Sequence, residues 1–196
     1  RYRNSIFKEK IVERKDKHKR EENGTKKCRY IITSVVFILK KNGKVNIEYK
    51  DVKEYFSSRN ITHPSLEDVR KAVIEIRMNK LPDVKVVGTA GSFFKNPSIS
   101  HLQARELKIK YPDLPVYPID DEFVKISLAW VIDHICKYKG IKKGSVGTYK
   151  NQALVLVNNG SASAKEILSF AEEIKKDVKA KIGVDIEMEV ECVGKL

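Results

Sequence analysis

The sequence predicts an α+β fold, on three observations. Apolar residues recur at helical spacing in several separate stretches, most clearly residues 65–80 and 163–181. The runs YIITSVVFIL and ALVLV are short, nearly continuous and rich in β-branched residues, as buried strands are. Residues 186–192 alternate apolar and acidic, the two-residue period of a strand with one covered face.

In chain order, residues 30–39 form the first predicted strand, and KNGK at 41–44 supplies the turn after it. Residues 65–80 form a helix. Ser65 and Asp68 make an S-x-x-D start, Val69, Ala72, Val73 and Ile76 line one face, and Leu81-Pro82 stops it. That break is the expected domain boundary. Residues 88–97, GTAGSFFKNP, follow. Two glycines and an alanine within four positions let backbone approach a bound group, with a hydroxyl, two aromatics, an ammonium and an amide directly behind them. Composition alone favours a surface turn running into a buried Phe93-Phe94 pair.

Ser100 caps a predicted helix over 100–111 that ends at Pro112, and YPDLPVYP is a turn-rich connector. Residues 123–138 are predicted helical, with Trp130 in the core and Gly140 closing the element. YKNQALVLVN ends in a short apolar strand, and Asn159-Gly160 turns the chain. Ser163 with Glu166 then forms a capping box for a helix with a stripe of Ile167, Leu168, Ala171, Ile174 and Val178. In the final strand Glu187, Glu189 and Glu191 share one face.

The 196 residues, 41% hydrophobic, suffice for one larger or two small domains. No run of eighteen apolar residues offers a membrane span, and RYRNSIFKEK is neither a Met start nor a signal peptide, so the chain reads as a cytoplasmic piece of a longer one. Cys28, Cys136 and Cys192 have no metal-ligand spacing; each is expected to be a small packing residue. The net charge of +13 favours anionic partners, nucleic acid or a diphosphate. Residues 8–29 carry ten basic and five acidic residues, +5 of that excess. No aromatic stands among them to stack a base and the signs alternate, which describes a solvated insertion rather than a nucleic-acid arm.

GSFFKNP, preceded by NKLPDVKV, is similar to the signature of the UDP-N-acetylenolpyruvoylglucosamine reductase family, flavoenzymes that complete UDP-N-acetylmuramate in bacterial cell-wall synthesis. YRNSIFK, NIEYK and the pair of glutamates one residue apart before Val190 resemble further family segments, although Met188 stands where members usually carry proline. The resemblance implies reduction of UDP-N-acetylglucosamine enolpyruvate with FAD and NADPH as cofactors. It implies that Ser92 delivers a proton while Arg3 and Glu189 serve the carboxylate end of the substrate and the flavin site. Arginine suits a carboxylate because its planar fork donates two hydrogen bonds.

By the same resemblance Tyr49 and Lys80 lie at the substrate diphosphate, Tyr117 at the nucleotide, and Asn96 and Gln152 among the substrate contacts. Lys139 and Gly140 match a family pair without an assigned role. The implied organisation is the remainder of a flavin-binding domain over residues 1–80 with the basic insertion, a UDP-sugar domain over 81–183, and a returning strand over 184–196. The family's flavin-cradling region lies upstream of YRNS and is missing from this sequence. The alternatives are a basic nucleic-acid-binding module in which GTAGSFFKNP is only a turn, and an inactive remnant of the reductase.

Overall fold

A computed structural model describes residues 10–12, 26–28, 30–41 and 43–193, and the chain divides into two compact units, residues 1–44 and 45–196. Arg3 lies outside the described residues.

In the first unit β1 (Lys10–Val12) pairs antiparallel with β2 (Lys26–Cys28), Lys10 opposite Cys28, so the described residues of the basic insertion form a two-stranded ladder. Residues 30–39 correct the sequence reading: they belong to no sheet among the described residues, and their side chains are exposed, Ile38 at 99% and Val36 at 90%. Among the described residues no partner strand or covering face accompanies this β-branched run, and those are what make such a run a buried strand.

The second unit begins with α1 (Lys50–Ser57), which sequence reasoning did not separate from its surroundings. Tyr49 is the N-cap of this helix and is 69% exposed. The following helix α2 (Leu66–Lys80) starts at the expected capping box, where the Asp68 backbone N–H donates to Ser65 Oγ and the Ser65 N–H donates back to Asp68 Oδ2. The two helices close a small cluster around Val52, Phe56 and Ala72.

A larger core follows, built on two three-stranded antiparallel sheets. One contains β3 (Ser98–Ser100), β4 (Val116–Pro118) and, between them, β5 (Phe123–Ile126); α3 (His101–Lys110) links β3 to β4. The expected helix over 123–138 therefore needs correction. Phe123-Val124-Lys125-Ile126 alternates, with Val124 and Ile126 buried, so these residues fill the middle of a sheet. Only after Ser127, whose Oγ accepts from the Trp130 N–H, does the chain turn helical, through α4 (Leu128–Trp130) and a π-helical stretch, Val131–Ile135.

The other sheet runs β6 (Lys142–Lys143), β7 (Val146–Tyr149), β8 (Gln152–Asn158). At Gly147 a Cβ would lie 2.3 Å from the Ile141 carbonyl oxygen, so the chain can pass there only with glycine. Helix α5 (Ala164–Ile182) carries the predicted capping box, buries Ala171, Ile174 and Val178, and ends at Gly183 in the left-handed conformation, φ 70°. Cys136 is buried as expected, and burial pushes its thiol up to about 12. Cys192 is exposed, contrary to its expected packing role, because the chain has left the core at that point. Among the described helices none is long and apolar enough to cross a membrane, and no His, Cys, Asp and Glu side chains group as a metal site there.

Candidate functional site

The glycine-rich segment is held across β8. Gly88 and Asn158 exchange both backbone hydrogen bonds, at 3.1 and 2.7 Å, and Thr89 Oγ1 donates to the Leu156 carbonyl at 2.8 Å. Thr89 Oγ1 also accepts from the Gly91 N–H at 3.1 Å, which closes a tight turn. Gly91 has φ 79°, and nothing stands within 4 Å of where a Cβ would be, so this turn requires glycine for its conformation and leaves its outer face open.

Past the turn the chain is gripped on both sides. Ser92 bridges Val155 of β8, and the Phe93 N–H donates to the Leu154 carbonyl at 2.8 Å. On the opposite edge Phe94 faces Met188, with Lys95 N–H donating to Glu187 and Glu189 N–H donating to Phe93, at 2.9 and 2.8 Å. Phe93 and Phe94 pack edge to face, 5.2 Å between centroids, and both are buried. Lys95 Nζ meets Glu187 Oε2 at 3.0 Å, a side-chain pair on the same register as the backbone bonds. The Met in place of proline at 188 is compatible with this pairing, since the bridge uses the backbone of its neighbours, Glu187 and Glu189. The expected returning strand is reduced to the single bridge at Met188; Ser92 is half-buried, and Glu189 is half-buried too, with its Oε2 out of solvent.

Beside this strand a cavity of about 640 Å³ is lined by Thr89, Gly91 and Val155 on one side and by Leu81, Val84, Arg77 and Lys85 among the residues on the other. Leu81, Val84 and Val155 are apolar walls, and Arg77, Lys85 and Asp83 contribute two cations and an anion. Val155 is the bridge partner of Ser92, so the cavity lies against the backbone that carries the serine.

At the C-terminal end of α2, Lys80 Nζ donates to Asp51 Oδ2 at 2.7 Å. That bond holds the ammonium above its ordinary lysine value, and Tyr49 is near enough to add to the effect. Structure therefore brings together Lys80 and Tyr49, two of the residues singled out from sequence, and adds Asp51, which sequence reasoning passed over. The signal was weak: Asp51 is one acidic residue two places after Tyr49.

Asn96, Tyr117 and Gln152 are placed separately. Asn96 Oδ1 accepts from the Leu128 N–H at 3.0 Å and so starts α4, leaving its amide nitrogen as the group it can offer a ligand. Tyr117 stands exposed on β4 opposite Lys125, whose ammonium lies 5.6 Å from the ring centroid. Gln152 opens β8, and its Oε1 accepts from the Leu154 N–H at 3.4 Å. Lys139, matched but unassigned from sequence, is paired with Asp133 at 2.8 Å.

A family model described as UDP-N-acetylenolpyruvoylglucosamine reductase, C-terminal domain, matches residues 82–193. The chain is 39% identical over 193 residues to the UDP-N-acetylenolpyruvoylglucosamine reductase of Flavobacterium johnsoniae, covering 98% of this chain and 52% of the relative. It is 41% identical over 194 residues to that of Xylella fastidiosa strain M12, covering 98% and 50%. With the protein of that name from Polynucleobacter asymbioticus it shares 44% over 161 residues, covering 82% and 46%. The chain thus spans about half the length of the curated relatives it matches. On the matched domain and on these identities, the chain belongs to the UDP-N-acetylenolpyruvoylglucosamine reductase family.

Proposed function

We propose that this chain is the substrate-binding and proton-donating part of a reductase that converts UDP-N-acetylglucosamine enolpyruvate to UDP-N-acetylmuramate in peptidoglycan synthesis, using FAD and NADPH. The observation that supports this reading is the double grip on residues 92–95: β8 on one side and residues 187–189 on the other hold Ser92 and Glu189 on neighbouring backbone, and Val155, the bridge partner of Ser92, lines the cavity.

Gly91 offers open backbone, and Leu81, Val84 and Val155 supply apolar walls. Thr89, Gly91 and Val155 are the residues of this chain that would touch a flavin there. A bound flavin supplies the hydride for the enolpyruvyl double bond and is itself recharged by NADPH.

Adding hydride to one carbon leaves the other with the electron pair, spread into the neighbouring carboxylate, and that carbon must receive a proton. Ser92 Oγ is the donor in this reading. A hydroxyl is a weak acid, so the proton moves only to a strong base, and a held geometry is what makes the transfer productive. The glycine turn and the bridge to Val155 fix the Ser92 backbone for that purpose. Glu189, on the adjoining segment, and Arg3 act at the carboxylate end and balance its developing charge. Lys80 and Tyr49 take the diphosphate, Tyr117 presents a ring face to the uracil, and Asn96 and Gln152 complete the contacts through their amides.

The test uses the flavin-loaded enzyme that contains this chain. Ser92→Ala is expected to lower turnover at least about a hundredfold while NADPH still bleaches the flavin absorbance at close to the unmodified rate. Normal turnover by this variant would remove Ser92 from its role.

A further inference from the structure

Lys80 occupies the last turn of α2 and Asp51 the first turn of α1, and the packing of these helices on each other brings the two charges to 2.7 Å. Each charge is also favoured by its own helix, the acid near an N-terminus and the ammonium near a C-terminus. The side chains retain 41% and 29% of their exposure, against 83% and 64% for the Lys50–Glu54 pair on the α1 surface, so the Lys80–Asp51 pair is better shielded from water. The base of the lysine is held as well: Asn151 Nδ2, in the turn between β7 and β8, donates to the Asn79 carbonyl at 2.5 Å.

An ammonium has three N–H donors. Asp51 occupies one and fixes the direction of the others, on a side chain that otherwise samples many rotamers. A phosphate arriving at Lys80 therefore finds two donors already aimed, and the entropy of ordering the four-carbon stem has been spent in folding rather than in binding. The opposing effect is that the carboxylate partly cancels the charge that attracts the phosphate. The two effects have opposite signs on phosphate affinity, so the response to removing the carboxylate decides between them.

We propose that Asp51 is a positioning residue for nucleoside diphosphate binding, holding the Lys80 ammonium in the orientation in which it receives the phosphates. This rests on the reading of Lys80 as a diphosphate contact. The groups that act electrostatically on Lys80 are Asp51 and Glu54 from α1 and Tyr49 at its N-cap, and all three favour the protonated lysine. Removing the Asp51 charge lets Lys80 lose its proton at lower pH.

The experiment titrates the full chain with UDP by calorimetry across pH, for the unmodified protein, Asp51→Asn and Lys80→Met, with the Lys80 side-chain ¹³Cε resonance followed in parallel. Asp51→Asn is expected to weaken UDP binding about fivefold at neutral pH, in the range of a partly shielded ion pair, and to shift both the Lys80 titration and the alkaline loss of UDP affinity to lower pH. A merely structural role for Asp51 would move the melting temperature but not the alkaline limb. If Lys80→Met weakens binding and Asp51→Asn leaves it unchanged or tightens it, the positioning role of Asp51 is wrong and the Lys80 contact stands. If the unmodified chain binds UDP no better than Lys80→Met, the diphosphate reading of Lys80 falls and the role of Asp51 with it.

Discussion

Residues 30–39 are a long apolar run and residues 92–95 hold only the Phe93-Phe94 pair, and the two meet opposite ends. The first is the longer and richer in β-branched residues, yet its side chains stand in solvent among the described residues. The second is short, follows a glycine turn and has no β-branched residue, yet Phe94 is fully buried, with pairing partners on both edges. What makes a strand here is the supply of neighbours, and intrinsic preference only describes which residues suit that setting once it exists. For function the consequence is direct: the segment bearing Ser92 is rigid because two other segments hold it, not because of its own composition.

The sharpest way to break this contrast is a matched pair of truncations. Phe94→Ala is expected to cost about 3–5 kcal/mol of unfolding free energy and Ile38→Ala no more than about 0.5 kcal/mol, both read from denaturant curves. Equal losses would mean that residues 30–39 are covered in solution. Next in size, Gly147→Ala forces a Cβ against the Ile141 carbonyl and is expected to destabilise by about 1–3 kcal/mol, showing that close backbone approach as well as side-chain burial holds the sheet next to Ser92. Ser163→Ala should cost about 1 kcal/mol by removing the α5 cap.

That cap carries a pH signature. The Ser163 N–H and hydroxyl both donate to Glu166 Oε2, and they hold its carboxyl below the ordinary glutamate value. A carboxyl whose folded value is depressed adds stability above its unfolded value, about pH 4.3, and loses that contribution as pH falls through the lower folded value. Acid unfolding of Ser163→Ala should accordingly show a weaker dependence on pH in that window. A small effect is also expected of Lys95→Gln, at most about 1 kcal/mol because its pair with Glu187 is solvent-exposed. A larger loss would show that the side-chain pair, rather than the two backbone bonds, sets the register at Glu189.

The parts of the fold that were legible in the sequence are those encoded locally. Ser65 with Asp68 and Ser163 with Glu166 announce α2 and α5 because a capping box closes within four residues. Residues 123–126 were misread as helix because a four-residue alternating strand is too short to outweigh the apolar residues that follow it, and its identity comes from β3 and β4 on either side. The site divides the same way. Glycine and serine in GTAGSFFKNP were visible, but the bridges of Ser92 to Val155 and Phe94 to Met188 join segments far apart in the chain, and no local pattern encodes them. Asp51 was missed for that reason too, since its partner Lys80 is twenty-nine residues away.

We propose that residues 88–96, together with Glu189, Tyr49 and Lys80, form a UDP-sugar site. The most direct measurement is amide and side-chain NMR of the labelled chain titrated with UDP-N-acetylglucosamine at physiological salt. Saturable shifts concentrated at Gly91, Ser92, Asn96, Glu189, Tyr49 and Lys80 are expected. Shifts spread over surface lysines and collapsing with added salt, with Gly91 and Ser92 unmoved, would contradict it and return the basic surface to the status of a nonspecific polyanion binder.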